Sequence, residues 1–208
     1  MIKKSDVFVF LDNVKFEKSS WQMRNRIKTI TKNQDDQVWI RIPTINVEKE
    51  TIIKNVLIDY KQNWMQKHVK AFENNYGKNV QRINFINEIY TKRWKTLSDF
   101  NIEFISKCCK FLKINTKLIR ASDLSVEGKK SKLVLNICKK FKASEYLANQ
   151  GSRGYLEKDQ GLFDAEGIKI SYNEYTHKIY KQKGVNFVEN LSILDLLFNE
   201  LDNSKDYI

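Results

Sequence analysis

"KSKLVLNICKKFKASEYLANQGSRGYLEKDQGLFDAEGIKISYNEY" (residues 130–175) decides the fold. Leu133, Ile137 and Phe141 recur at helical spacing and make one apolar stripe. "SEYLAN" then reads as a short strand. "QGSRGYLEKDQG" follows as a Gly-flanked loop and helix start, and "GIKISYNEY" is another strand. With "TKLIRAS" (116–122) ahead of it, the rhythm is strand–helix–strand. That rhythm predicts an α/β fold with a mostly parallel sheet flanked by helices. Ligands of such sheets sit outside the carboxyl ends of the strands, which directs attention to the ends of "SEYLAN" and of the N-terminal run "DVFVFLD".

"DVFVFLD" (6–12) is a continuous apolar run bounded by acids, the pattern of a parallel strand buried on both faces. "QVWIRIPT" (37–44) alternates, with Val38, Ile40 and Ile42 on one face and Trp39 and Arg41 on the other. Together with "RIKTIT" it predicts a hairpin turning between Asn33 and Asp36, and "TIIKNVLID" (51–59) is a further strand candidate. A helical middle region spans about residues 60–113. "NWMQKHVKAFENNYG" carries Trp64, Val69, Phe72 and Tyr76 and stops at Gly77. "VQRINFINEIYTKRW" carries Ile83, Ile86, Ile89 and Tyr90, and "LSDFNIEFISKCCKFLKI" starts with Ser98 as N-cap. These three helices are expected to cover the sheet. No repeat, low-complexity linker or boundary interrupts 1–208, which reads as a single domain.

Apolar residues make up 41% of the 208, enough for a core, and the single Pro with 12% aromatics excludes a disordered chain. The net charge of +12 favours anionic partners, namely nucleic acid, nucleotide-linked substrates or acidic lipid, or is a solvated lysine surface. Cys108, Cys109 and Cys138 are odd in number and have no C-x-x-C spacing, so neither a disulfide framework nor a zinc site is expected. The expectation is buried thiols in a reducing cytoplasm, with no metal, no cofactor and no transmembrane segment.

Three constellations carry chemistry. In the first, Asp12 and Asn13 end a strand, and Arg24, Asn25 and Arg26 follow with Trp21 nearby. On an extended chain the two arginines point the same way and form a phosphate or carboxylate clamp. In the second, Gly151, Ser152, Arg153 and Tyr155 lie between a strand and a helix start, where backbone N–H groups bind anions and glycines permit close approach or positive φ. The spacing is neither a P-loop nor a dinucleotide fingerprint. In the third, "YTHKIYKQKGVNFVENLSILDLLFN" holds His177, Tyr180, Gln182 and Asp195 on a stretch ending in a helix capped near Asn190 or Ser192. His177 suits general-base work at neutral pH, with Asp195 as the group that orients it, or is a structural hydrogen-bonder. His68, on the apolar seam of its helix, reads as packed or surface.

Taken in order, "DVFVFLDNVKFEKSSWQMRNRIK", "GSRGYL" with "GIKISY", and "YTHKIYKQ…FVENLSILDLLFNE" resemble the WbqC-like family from about Asp6 to Glu200. The resemblance implies a role in O-antigen, capsule or other surface-polysaccharide synthesis, on nucleotide-linked amino sugars in the cytoplasm. Acyl or aminoacyl transfer to a sugar amine is compatible with it. Carried over by position, the family-like residues are Asp12, Arg24, Asn25 and Arg26; then Gly151, Arg153 and Tyr155; then His177, Tyr180, Gln182, Ser192 and Asp195. Two departures stand out. Family members carry a Q-P-x-Y-x-P segment ahead of the strand that "DVFVFLD" matches, and a Pro where this chain has Lys178. Three readings follow: a transferase on an anionic nucleotide-sugar with Asp12 or His177 as base, an RNA- or tRNA-binding protein, and a shortened, non-catalytic member.

Overall fold

The computed structural model describes residues 1–31, 34–45 and 47–208. Strands β1 (Val7–Phe10), β2 (Arg24–Thr31) and β3 (Gln34–Arg41) precede helices α1 (Trp64–Tyr76), α2 (Asn84–Thr91) and α3 (Leu97–Phe111). Then come β4 (Lys117–Arg120), α4 (Ser131–Lys140), β5 (Glu145–Ala148), the short helices α5 (Arg153–Leu156) and α6 (Gln160–Asp164), β6 (Lys169–Tyr172) and α7 (Ile193–Glu200). They form two compact units, each assembled from two stretches of chain. One is Met1–Val14 with Asn115–Thr176, and the other is Lys15–Ile114 with His177–Ile208.

The first unit holds the parallel pairing expected of the α/β rhythm. β1 pairs with β4, Phe8 opposite Leu118, and β5 with β6, Tyr146 opposite Ile170. Helix α4 serves both pairs because its apolar residues cover more than one stripe. Leu133 and Ile137 pack with Ala121, Leu124, Val9 and Ile119, while Val134, Leu135 and Cys138 pack with Ala148, Leu156, Phe163 and Ile168. The sheets are smaller than the expected single parallel sheet: two separate pairs of four-residue strands. β1 is half-buried along its whole length, because so short a pair is not sealed on both faces.

In the second unit β2 and β3 form the antiparallel hairpin that the alternation predicts, Ile27 opposite Val38. Ile27 is fully buried and Val38 and Ile40 pack against the core, while Trp39 faces out. The turn expected from Asn33 to Asp36 begins at a residue outside those described; Gln34, Asp35 and Asp36 are already paired strand. Trp64 and Phe72 of α1, Ile86 and Tyr90 of α2, Phe100 of α3 and Leu197 and Phe198 of α7 make one continuous core. Phe72 and Phe198 meet at 5.5 Å, and Phe72→Ala is expected to cost about 3–5 kcal/mol. Gly77 ends α1 at φ +59°, a conformation that a side chain would strain.

Two local expectations are corrected here. Residues 51–59 are not a strand: Ile53–Asn55 is a 3₁₀ turn closed by Asn55 N–H to Ile52 O. Val56 and Ile58 instead bury themselves and exchange single backbone bonds with Leu97 and Lys95. Helix α3 is capped by Thr96, whose hydroxyl accepts from Asp99 N–H, because Thr96 has the extended backbone a cap requires; Ser98 lies inside the first turn and is buried. Ser192 caps α7 by accepting from Leu194 N–H. Among the described residues no helix is long and apolar enough to cross a membrane.

Candidate functional site

The pleat of β2 sends Arg24 and Arg26 to the face that carries Trp39 and Arg41 of β3, and Arg26 lies directly opposite Trp39. The Arg24 guanidinium lies 4.3 Å over the Trp39 ring, and that of Arg26 lies 5.4 Å from both Trp39 and Trp21. The two indoles are 5.7 Å apart. Stacking fixes each planar cation by its face and does not itself use the edge N–H groups, although at Arg26 one of them already donates to the Asn190 carbonyl. Exposure is the notable quantity. Trp21 is 62% and Trp39 47% exposed, whereas Trp64 and Trp94 are 3% and 7% exposed. Both exposed tryptophans of the chain therefore lie on the arginine face. Asn25, one residue off that register, is exposed, and its side-chain oxygen accepts from Arg26 N–H.

His177 belongs to the same unit. Its Nε2 pairs with Asn190 Oδ1 at 2.9 Å, and the Asn190 carbonyl accepts from Arg26 at 3.4 Å. Asn190 thus links the histidine to the arginine face. Asp195, fully buried, is held by three donors: Tyr76 Oη to Oδ1 at 2.5 Å, and Tyr180 Oη and Gln182 Nε2 to Oδ2, both at 2.9 Å. Tyr76 also accepts from Lys28 N–H. Burial first, and then the Asp195 charge, push the Tyr76 hydroxyl far above the ordinary phenol range, so it stays a donor. Gln182 clamps Val188 through both Val188 N–H and Val188 C=O. Tyr180, Gln182 and Asp195 are brought together as one buried network that ties α1, α7 and 180–188 to β2.

Sequence reasoning missed Lys28 and Asp35. Both side chains are buried, they pair at 2.9 Å, and Lys28 Nζ also donates to the Asn186 carbonyl. Asp35 Oδ2 accepts from Val185 N–H and from both nitrogens of Asn186. Those Asn186 bonds first, and Lys28 next, hold the Asp35 carboxyl below its usual range. Gly184, at φ +100°, lies so close that an added Cβ would sit 1.9 Å from Asp35 Oδ1. The one available signal was the placement of Lys28 on the Arg24–Arg26 face, i+2 from Arg26.

The other candidates lie in the first unit. Asp12 is buried, and both its oxygens are occupied by Ser122, one by N–H at 2.9 Å and one by the hydroxyl at 2.7 Å. It pins the end of β1 to the end of β4. Asn13 Oδ1 is buried without a hydrogen-bond partner. Ser152 is buried in the turn Gln150–Ser152 and donates to Asn149 O. Arg153 lies 4.4 Å over Tyr172 and 3.6 Å from Glu157, and Tyr155 is exposed. Gly151 and Gly154 have ordinary backbone angles, and α5 is only four residues long, so the expected anion cradle of glycines and a helix start is a turn closed on itself.

His68 is a core residue. Its Nε2 faces Arg41 O at 3.0 Å and its Nδ1 faces Tyr90 Oη at 3.3 Å, and burial lowers its pKa to about 4. Burial raises all three thiols, that of Cys138 to about 11, which removes them as nucleophiles. Among the described residues no three His, Cys, Asp or Glu side chains gather as a metal site would require.

Against known proteins, the family model described as the WbqC-like protein family matches residues 1–207. A Mycobacterium tuberculosis protein described as "Uncharacterized protein Rv1507c" is 31% identical over 209 residues, covering 98% of this chain and 87% of that protein. No solved structure matches.

Proposed function

Because the chain belongs to the WbqC-like protein family, we propose that it is a transferase that modifies a nucleotide-linked amino sugar in cell-surface polysaccharide synthesis. The observation that carries this reading is the pair of guanidiniums, Arg24 and Arg26, held side by side by the half-exposed Trp39. In this reading they grip the diphosphate and so hold the amino sugar in place for the reaction. His177, joined to Arg26 through Asn190, is the general base. The sugar amine attacks the carbonyl of an acyl thioester or aminoacyl ester, and the C–N bond forms as the donor's C–S or C–O bond breaks. The proton taken by His177 passes to the departing thiol or hydroxyl. Its half-buried place beside a charged face suits that work; the fully buried Asp195 is a positioning residue for Tyr180 and the 180–188 stretch.

The test is calorimetric titration with a panel of nucleoside-diphosphate amino sugars. Arg24→Ala and Arg26→Ala are each expected to weaken binding at least tenfold with unchanged circular dichroism. Wild-type affinity in both variants would refute the clamp. A second reading, RNA binding, draws on the same two exposed tryptophans, since bases stack on such rings. It predicts oligonucleotide affinity that falls steeply with salt.

A further inference from the structure

Trp21 is held out of the protein by a turn that is unusually well fixed. Ser20 Oγ donates to Glu17 O and accepts from Gln22 N–H, and Gln22 Oε1 accepts from Glu17 N–H. Met23, two residues on, is buried, and Asn101 of α3 donates to Gln22 O. A large apolar ring loses free energy by staying in water, yet Trp21 is 62% exposed even with Trp39 and Arg26 against it. Trp39 lies at 5.7 Å from it and the Arg26 guanidinium at 5.4 Å, with Arg24 stacked on the same Trp39. A pinned aromatic plate and two stacked guanidiniums thus share one surface of one unit.

Resting on the diphosphate reading above, we propose that this surface recognises the nucleobase as well as the phosphates. The base stacks on Trp21 beside Trp39, next to the guanidiniums of Arg24 and Arg26 that hold the phosphates. The ligand class is a nucleoside diphosphate, and the base, not the sugar, supplies much of the affinity.

The experiment measures dissociation constants of UDP, CDP, ADP, GDP and inorganic pyrophosphate for the full chain, by calorimetry and tryptophan quenching. Wild type should bind at least one nucleoside diphosphate well above pyrophosphate. Trp21→Ala should weaken that nucleotide about tenfold to a hundredfold and leave pyrophosphate unchanged, while Trp21→Phe retains most of the affinity. Trp21 is outside the core, and thermal melts of the free variants check that the fold is kept. If pyrophosphate binds as well as every nucleotide, or if Trp21→Ala weakens both alike, base recognition is wrong while the arginine clamp stands. If none of the five ligands binds, the clamp and this inference fall together. Binding of oligonucleotides alone would overturn it in favour of an RNA surface.

Discussion

Acidification tests how the second unit is built, through His68. In the fold its pKa is about 4, lowered chiefly by burial, and an unfolded histidine titrates near about 6.5. The unfolded chain therefore binds the extra proton first, so acid favours unfolding. Above about pH 7 both states hold a neutral ring and the effect is nil. As pH falls below about 6.5 the penalty grows, and at pH 5 linkage puts it at about 2 kcal/mol, approaching about 3.4 kcal/mol below pH 4. Urea unfolding of wild type and His68→Leu at pH 7.5, 6.0 and 5.0 isolates this term, because every other titrating group is common to both. The variant should be less stable at pH 7.5, having lost the bond to Arg41 O and left Tyr90 Oη unmatched. Between pH 7.5 and 5.0, however, it should lose about 2 kcal/mol less than wild type. Parallel losses in the two proteins would refute the claim that His68 is folded into the core as the neutral ring. With only two histidines, an NMR titration also gives a direct reading: one resonance should titrate near pH 4.

Tyr76→Phe removes the donor to Asp195 Oδ1, and Tyr180→Phe removes one of two donors to Oδ2, so the first should cost about 2 kcal/mol and the second less; equal losses in urea melts would contradict the network. Gly184→Ala forces a methyl into Asp35 and should lower the melting temperature by several degrees, whereas Gly154→Ala, with open space around it, should not. Ellman's reagent should react slowly with native protein and titrate three thiols once it is denatured, since burial raises Cys108, Cys109 and Cys138 alike.

The local pattern of the sequence carried over well wherever a single segment decides its own geometry. The alternation from Val38 to Ile42 set the inward face of the hairpin, and the i, i+4 spacing of Leu133 and Ile137 set one side of α4. The i, i+2 spacing of Arg24 and Arg26 placed both on one face, and stacking on Trp39 followed from register. What was not legible depends on partners remote in the chain. Asp195 meets Tyr76, 119 positions earlier, and Asp35 meets Asn186, 151 positions later. Neither pairing leaves a trace in the periodicity of its own segment. Asp12 shows the converse: a carboxylate at a strand end reads as chemistry, but each of its oxygens accepts a hydrogen bond from Ser122, which ties two strand ends together. The 51–59 segment misled because it pairs only through isolated bridges, Ile52 with Lys15, Leu57 with Thr96 and Ile58 with Thr44, around a 3₁₀ turn that breaks any continuous ladder.

The stitching of each unit from two stretches has a consequence for synthesis on the ribosome. The helices of residues 64–111 are made before their partners: Tyr76 must wait for Asp195, 119 positions on, and Phe72 for Phe198. The unit built from Met1–Val14 and Asn115–Thr176 can close once residue 176 has emerged, whereas the other stays open until α7 leaves the tunnel. Its half-built apolar surface is exposed to the cell until then, and a chain stalled before Leu194 is one that chaperones and proteases recognise as unfinished.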